Sequence, residues 1–231
     1  MIYHYCIIFL LFLIYSFIGY VIETISVSII EKRLILSRGF LIGPYLPIFG
    51  VGALSLSCFL QKYQKDIIIL FLMSAFICLT IEYFSSLLME KIFQLRWWDY
   101  SEKKFNINGR VCLELGIYFG IGGVLAIKFG NPFFKRMLYS APQTLIVLLG
   151  LFLSMVILLD YIVSFYIVFK FKNNIESYAS KDSSLIAKKE ILKKLDKNKF
   201  FNKRLLIAYP HILKNKNFRL WFEKLSKRVK K

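Results

Sequence analysis

A chain of 231 residues, 57% of them hydrophobic and with a mean hydropathy of +0.56, carries more apolar side chain than a water-facing surface tolerates. The formal net charge is +18, from 32 basic against 14 acidic residues, but 19 of the basic residues fall in the last 62 positions. These figures exclude a disordered protein, weigh against a soluble enzyme and describe an apolar body followed by a basic tail.

A hydrocarbon core of about 30 Å needs about 20 apolar residues in a helix. Five stretches meet that length, at about 5–30, 40–60, 67–88, 111–127 and 144–169. No Lys or Arg precedes Lys32, so the first stretch has no cationic leader and reads as a retained span with its N-terminus outside. The second contains Pro44 and Pro47, which remove backbone donors, and is expected to be broken or re-entrant. Five passes place the C-terminus inside. The inner loops then hold eight cations (Lys32, Arg33, Arg38, Lys91, Arg96, Lys103, Lys104 and Arg110), and the outer loops hold five (Lys62, Lys65, Lys128, Lys135 and Arg136). That bias, with the tail added, follows the positive-inside rule. The expected fold is therefore all-α and polytopic: a transmembrane domain of residues 1–169 with about five helices, then a basic cytoplasmic tail of residues 170–231.

Sliding the chain on itself by 59 residues superposes Glu23 on Glu82, Ser26 on Ser85, Glu31 on Glu90 and Lys32 on Lys91, with Leu, Ile and Phe matches between. Beyond an 11-residue insertion the offset becomes 70, and Gly39, Phe49, Gly50 and Gly52 meet Gly109, Phe119, Gly120 and Gly122. The reading is two parallel helical-hairpin repeats, about 5–60 and 64–128, with a fifth span outside the duplication. The paired glycines at 50/120 and 52/122 would let helices approach closely.

A charge inside a span costs at least about 2.5 kcal/mol, so such residues face the bundle interior and find partners. Glu23, Glu82, Glu114 and Asp160 are the carboxylates in or near spans, while Arg38 and Arg110 begin the second and fourth. Arginine suits bidentate contact with carboxylate or phosphate. Two readings stand: ion pairs that staple the bundle, or a polar cavity for a headgroup or an ion. For Glu114 and Asp160 singly, a place near the interface explains each. Trp97, Trp98 and Tyr100 suit an aromatic belt at the headgroups, and Asn108-Gly109 suits a tight turn. Neither accounts for Asp99 among the aromatics or for Asn106 just before the span. The expected binding residues are thus Glu23, Arg38, Glu82, Trp98, Asp99, Asn106, Arg110 and Glu114, with Asp99 and Glu82 as candidate catalytic carboxylates.

Two blocks carry a resemblance. Ser37-Arg38-Gly39-Phe40-Leu41-Ile42-Gly43-Pro44 with Pro47-Ile48-Phe49-Gly50, and Trp97-Trp98-Asp99-Tyr100-Ser101 with Phe105-Asn106-Ile107-Asn108-Gly109-Arg110, are similar to the CmpB-type putative ABC-transporter (type IV) family of bacterial integral membrane proteins. The run Arg204-Leu205-Leu206-Ile207-Ala208-Tyr209-Pro210-His211 resembles its C-terminal element. Tyr20 stands where many relatives have Trp. The resemblance implies a permease-like subunit of the bacterial cell membrane.

No G-x-x-x-x-G-K-S/T string occurs, so an ATPase would be a separate polypeptide. His4 and His211 lie at opposite ends and Cys6, Cys58, Cys78 and Cys112 have no metal spacing, so neither a metal site nor a cofactor is expected. In the tail, Asp182 to Ser184 precede an amphipathic basic stretch, and another follows around Phe218 to Val229. Both suit anionic lipid or a docked subunit. Nucleic acid has no supporting motif, and a second copy of the chain is the remaining candidate partner. Transport leads the alternatives, ahead of a membrane-embedded enzyme acting on a lipid or phosphate-bearing substrate and of a structural or accessory protein.

Overall fold

The structure is a computed structural model that describes residues 1–30, 32, 39, 41–93 and 98–181, with side chains as far as residue 170. In chain order it contains α1 (Ile2–Ile30), α2 (Pro47–Leu60), α3 (Ile67–Phe93), β1 (Asn106–Ile107), β2 (Val111–Cys112), α4 (Leu113–Leu125), α5 (Asn131–Ser140) and α6 (Gln143–Lys181). Arg38, Trp97 and the two amphipathic stretches of the tail lie outside the described residues.

Among the described residues four helices, not five, are long and apolar enough to cross a membrane: Ile2–Ile30, Ile67–Phe93, Leu113–Ser140 and Gln143–Lys170. The second expected span is the one that differs. Its helix α2 has 14 residues, about 21 Å at 1.5 Å per residue, which falls short of the hydrocarbon thickness. The prolines are the cause. Pro47 opens α2, where its missing N–H is not needed. Pro44, beside Gly43, keeps residues 41–46 out of a helix. That segment descends along α1 until the Leu46 N–H donates to the Ser16 carbonyl (2.9 Å), halfway down α1. From there α2 runs antiparallel to α1, with Gly50 against Phe12 and Ser16 and Leu54 against the core of Cys6, Ile7, Leu10 and Leu11. The second expected span is therefore irregular over residues 41–46 and helical only over Pro47–Leu60.

The fourth pass is longer than its expected 111–127. Helix α4 continues through a π-helical turn (Ala126–Gly130) into α5, so Lys128, Lys135 and Arg136 sit on helix rather than in a loop. Pro132 cannot donate back to the preceding turn, and the wider π turn absorbs the missing bond. Helix α6 lies along α1 in the same direction, with Gly150 against Cys6. It runs through the expected boundary at 169/170. The loop before α4 is not all-α as expected. It holds a two-stranded antiparallel hairpin pairing Asn106 with Cys112 and Ile107 with Val111. Asn108 (φ 53°) and Gly109 (φ 66°) form the left-handed turn between the strands, which Asn-Gly favours because neither meets a large steric cost there.

Two apolar clusters among the described residues help hold the bundle. Leu138 and Ile146 join the α1 cluster just named, and Leu56, Leu60, Leu70 and Ile127 form the other. Helices α3 and α4 pair as α1 and α2 do. Phe71 lies against Gly120 as Phe12 lies against Gly50. The other glycine pair departs from expectation: Gly52 has only ordinary contact with Cys78, and Gly122 faces open space. Close approach is needed where a ring or backbone of the partner helix crosses, and none crosses at Gly122.

Candidate functional site

On α3 the polar residues Cys78, Glu82, Ser86 and Glu90 recur every fourth position, so neighbours in the series share a side of the helix. On α1, Gly19 and Glu23 do the same, and Gly19 lies against Phe49 at the start of α2. Glu23 is within Coulombic reach of Glu82, and both side chains are half-buried. Glu23 thus lies one turn beyond the contact of α1 with α2.

The hairpin loop covers the C-terminal end of the α3 series. The Arg110 guanidinium pairs with Glu90 (Nη2 to Oε2, 2.6 Å), donates to the Ser86 hydroxyl (3.1 Å) and lies over the Tyr83 ring. The Asn108 amide donates to the Tyr83 hydroxyl (2.9 Å). The loop is braced from within. The Trp98 indole N–H donates to the Arg110 carbonyl (3.2 Å), and the Tyr100 N–H to the Gly109 carbonyl (2.7 Å). Asn106 accepts from the Gly109 N–H (3.0 Å) and donates to the Lys103 and Ser101 carbonyls. Asp99 accepts from both the N–H and the hydroxyl of Ser101.

The expected residues therefore occupy three places rather than one. Glu23 and Glu82 lie within Coulombic reach of each other. Arg110, Trp98, Asp99 and Asn106 belong to one loop, where Arg110 takes Glu90 as its carboxylate. Glu114 meets only the outer side of that loop: it pairs with Lys103 (2.8 Å), and both side chains are about half exposed. Position explains this, since Glu114 lies in the first turn of α4 on the side facing away from the bundle. Its hydrogen bond holds the Lys103 ammonium above the ordinary lysine value.

Asp160 takes a role that the chain order does not suggest. It accepts from the backbone N–H groups of Ile42 (2.9 Å) and Gly43 (2.8 Å), from the Tyr45 hydroxyl and from Ser164 (2.8 Å). It is the anchor of the irregular half of the second pass. Glu90 and Ser86 were absent from the expected set, although their fourfold spacing from Glu82 marked them. Asp99 as a catalytic base is poorly served by this geometry, because one of its oxygens holds Ser101. Among the described residues no group of three or more His, Cys, Asp or Glu side chains could hold a metal ion.

Beyond the carboxylates, toward the N-terminal end of α1, the rings of Phe49 and Phe119 meet edge to face with centroids 6.4 Å apart. Further along lies a second polar group. The Tyr15 hydroxyl donates to Asn131 (2.7 Å), and the Asn131 amide donates to the Ser57 hydroxyl (2.6 Å). Asn131 is 1% exposed and sits where the π turn ends.

Compared with known proteins, residues 10–165 match a family model described as "Putative ABC-transporter type IV". No curated protein and no solved structure matches the chain.

Proposed function

The chain belongs to the putative ABC-transporter type IV family, and on that premise we propose that it is the membrane-embedded, permease-like subunit of a transporter whose ATPase is a separate polypeptide. The polar site is the Glu23–Glu82 pair in the inner half of the bundle. The observation that supports this reading is that residues matched by the proposed duplication lie close together: the rings of Phe49 and Phe119 meet, and Glu23 is within Coulombic reach of Glu82. Residues related by a two-fold axis meet only beside that axis. The shared Phe–Gly packing of the two helix pairs supports the same parallel repeat. A solute path on this axis would start at the carboxylates, pass the two rings and reach the Tyr15–Ser57–Asn131 group. In this reading the N-terminus is outside, the tail is cytoplasmic, and the membrane is the bacterial plasma membrane.

Two carboxylates within Coulombic reach of each other favour a cation or a proton between them. A site of that kind can change its occupancy as the two repeats rock against each other. The enzyme alternative is weaker, since Asp99 is engaged within its own loop.

The chain purified in mild detergent is expected to carry a nucleotide-hydrolysing polypeptide with it. In lipid, Glu82→Gln is expected to lower ATP hydrolysis by that complex at least about fivefold, the lower end of coupling between sites. Glu114→Gln, changed outside the pair, is expected to leave the rate unaltered. A chain that purifies alone under every condition, or a Glu82→Gln complex as active as the unmodified one, removes the reading.

A further inference from the structure

Phe105 holds φ at 51°, a left-handed conformation that costs a bulky residue about 1 kcal/mol or more, and its side chain is 79% exposed. No packing within the described chain repays that arrangement. Ile107, next along the same loop, is 59% exposed, and Leu113 just after the hairpin is 54% exposed. Lys104 precedes Phe105 and is also exposed. An outward ring, an outward isoleucine and an adjacent cation together form a small amphipathic lobe.

The level of the lobe says what meets it. Asn108 and Arg110 pin it to Tyr83, Ser86 and Glu90 of α3. The apolar run of α3 ends at Met89, and Glu90 and Lys91 follow. The lobe therefore sits where hydrocarbon gives way to headgroups. It is not deeper, because the outer edges of such short strands would leave backbone groups unsatisfied in hydrocarbon. It is not far beyond the surface either, where a soluble partner would dock. Trp98 and Tyr100 sit in the same loop, at the depth such rings favour.

We propose that residues 98–112 form an in-plane anchor that seats anionic phospholipid in the leaflet at the C-terminal end of α3. Phe105 and Ile107 enter the upper acyl region, and Lys104 meets the lipid phosphate, while Lys103 stays paired with Glu114. The anchor holds the loop at one depth relative to the bundle. This proposal stands without the permease reading.

The test uses the full-length chain with Trp97→Phe and Trp221→Phe, which leaves Trp98 as its single tryptophan. The chain is reconstituted in phosphatidylcholine mixed with phosphatidylglycerol, with bromine on the upper acyl carbons of one lipid or the other. Trp98 is expected to be quenched by both lipids, and more by brominated phosphatidylglycerol at equal mole fraction. Lys104→Gln is expected to reduce that preference by up to about fivefold. Phe105→Gly is expected to weaken quenching by either lipid while leaving thermal stability unchanged or higher, since glycine accepts the left-handed φ. That last readout separates a lost anchor from a lost fold. Equal quenching by the two lipids in the parent protein overturns the proposal. So does quenching by aqueous iodide with none by bromolipid, which means a water-facing or protein-facing loop. Quenching that disappears as protein concentration rises means a second copy covers the lobe, and it overturns the proposal as well.

Discussion

Asp160→Ala is expected to destabilise the protein by about 3 kcal/mol, read as a lowered midpoint of unfolding in lipid–detergent mixtures. The residue accepts two backbone N–H groups and two hydroxyls where residues 41–46 run without helical hydrogen bonds. Water cannot replace the lost acceptor at that depth, and each stranded buried donor costs about 1–3 kcal/mol. Some relaxation of the segment keeps the total below the sum. Hydrogen exchange supplies the local signature: the amides of Ile42 and Gly43 are expected to lose protection before those of α1. Asp160→Asn keeps the shape and one good acceptor, so an intermediate loss is expected. An unchanged midpoint in the alanine variant, with both amides still protected, would show that the carboxylate is dispensable to the second pass.

The second large effect is expected at Gly50. A Cβ there would meet the Ser16 hydroxyl and, at 2.6 Å, the Phe12 backbone carbonyl. A side chain can turn aside, but the carbonyl belongs to α1 and can move only with the helix. Gly50→Ala is therefore expected to cost about 1–3 kcal/mol by overpacking. Gly120→Ala meets the Phe71 ring instead and is expected to cost less, because a ring can rotate away. Gly122→Ala meets nothing within 4 Å and is expected to be neutral or to stabilise α4 by up to about 1 kcal/mol through helix propensity. Unfolding midpoints of the three variants, measured side by side, check the order. Equal effects at Gly50 and Gly122 would contradict the close crossing of α1 and α2.

Much of the fold was legible before any coordinates. Pro44 and Pro47 pointed to a second stretch that is broken or re-entrant, since a proline inside a helix strands a carbonyl that lipid cannot satisfy. Asn108-Gly109 announced the turn that became the hairpin, because the pair tolerates positive φ. The length of that second helix was misjudged for the same local reason. Hydropathy counts apolar residues whether or not they are helical, and residues 41–46 are apolar without being helix. The continuation of α4 through the π turn was hidden by Lys128, Asn131 and Pro132, a run that reads as a loop.

The candidate site was legible only in part. Matching positions in the expected duplication pointed to Glu23 and Glu82 at equivalent depth, and Glu23 is within Coulombic reach of Glu82. The partners of Arg110, Glu114 and Asp160 were not legible. An ion pair depends on which faces of which helices meet, and that follows from crossing angles that no local pattern encodes.

By itself, then, the amino-acid order determined the apolar segments, the interruption of the second, the tight turn of the loop before α4 and the concentration of charge in the tail. Each of these is set by the chemistry of neighbouring residues. Tertiary structure alone decided that Asp160 would hold Ile42 and Gly43, that Glu90 would take Arg110, and that Glu114 would turn to Lys103 at the surface. The first joins residues more than 100 positions apart, and the others depend on how α3, the hairpin loop and α4 come together. Their energy comes from desolvation and distance, which exist only once the helices have packed.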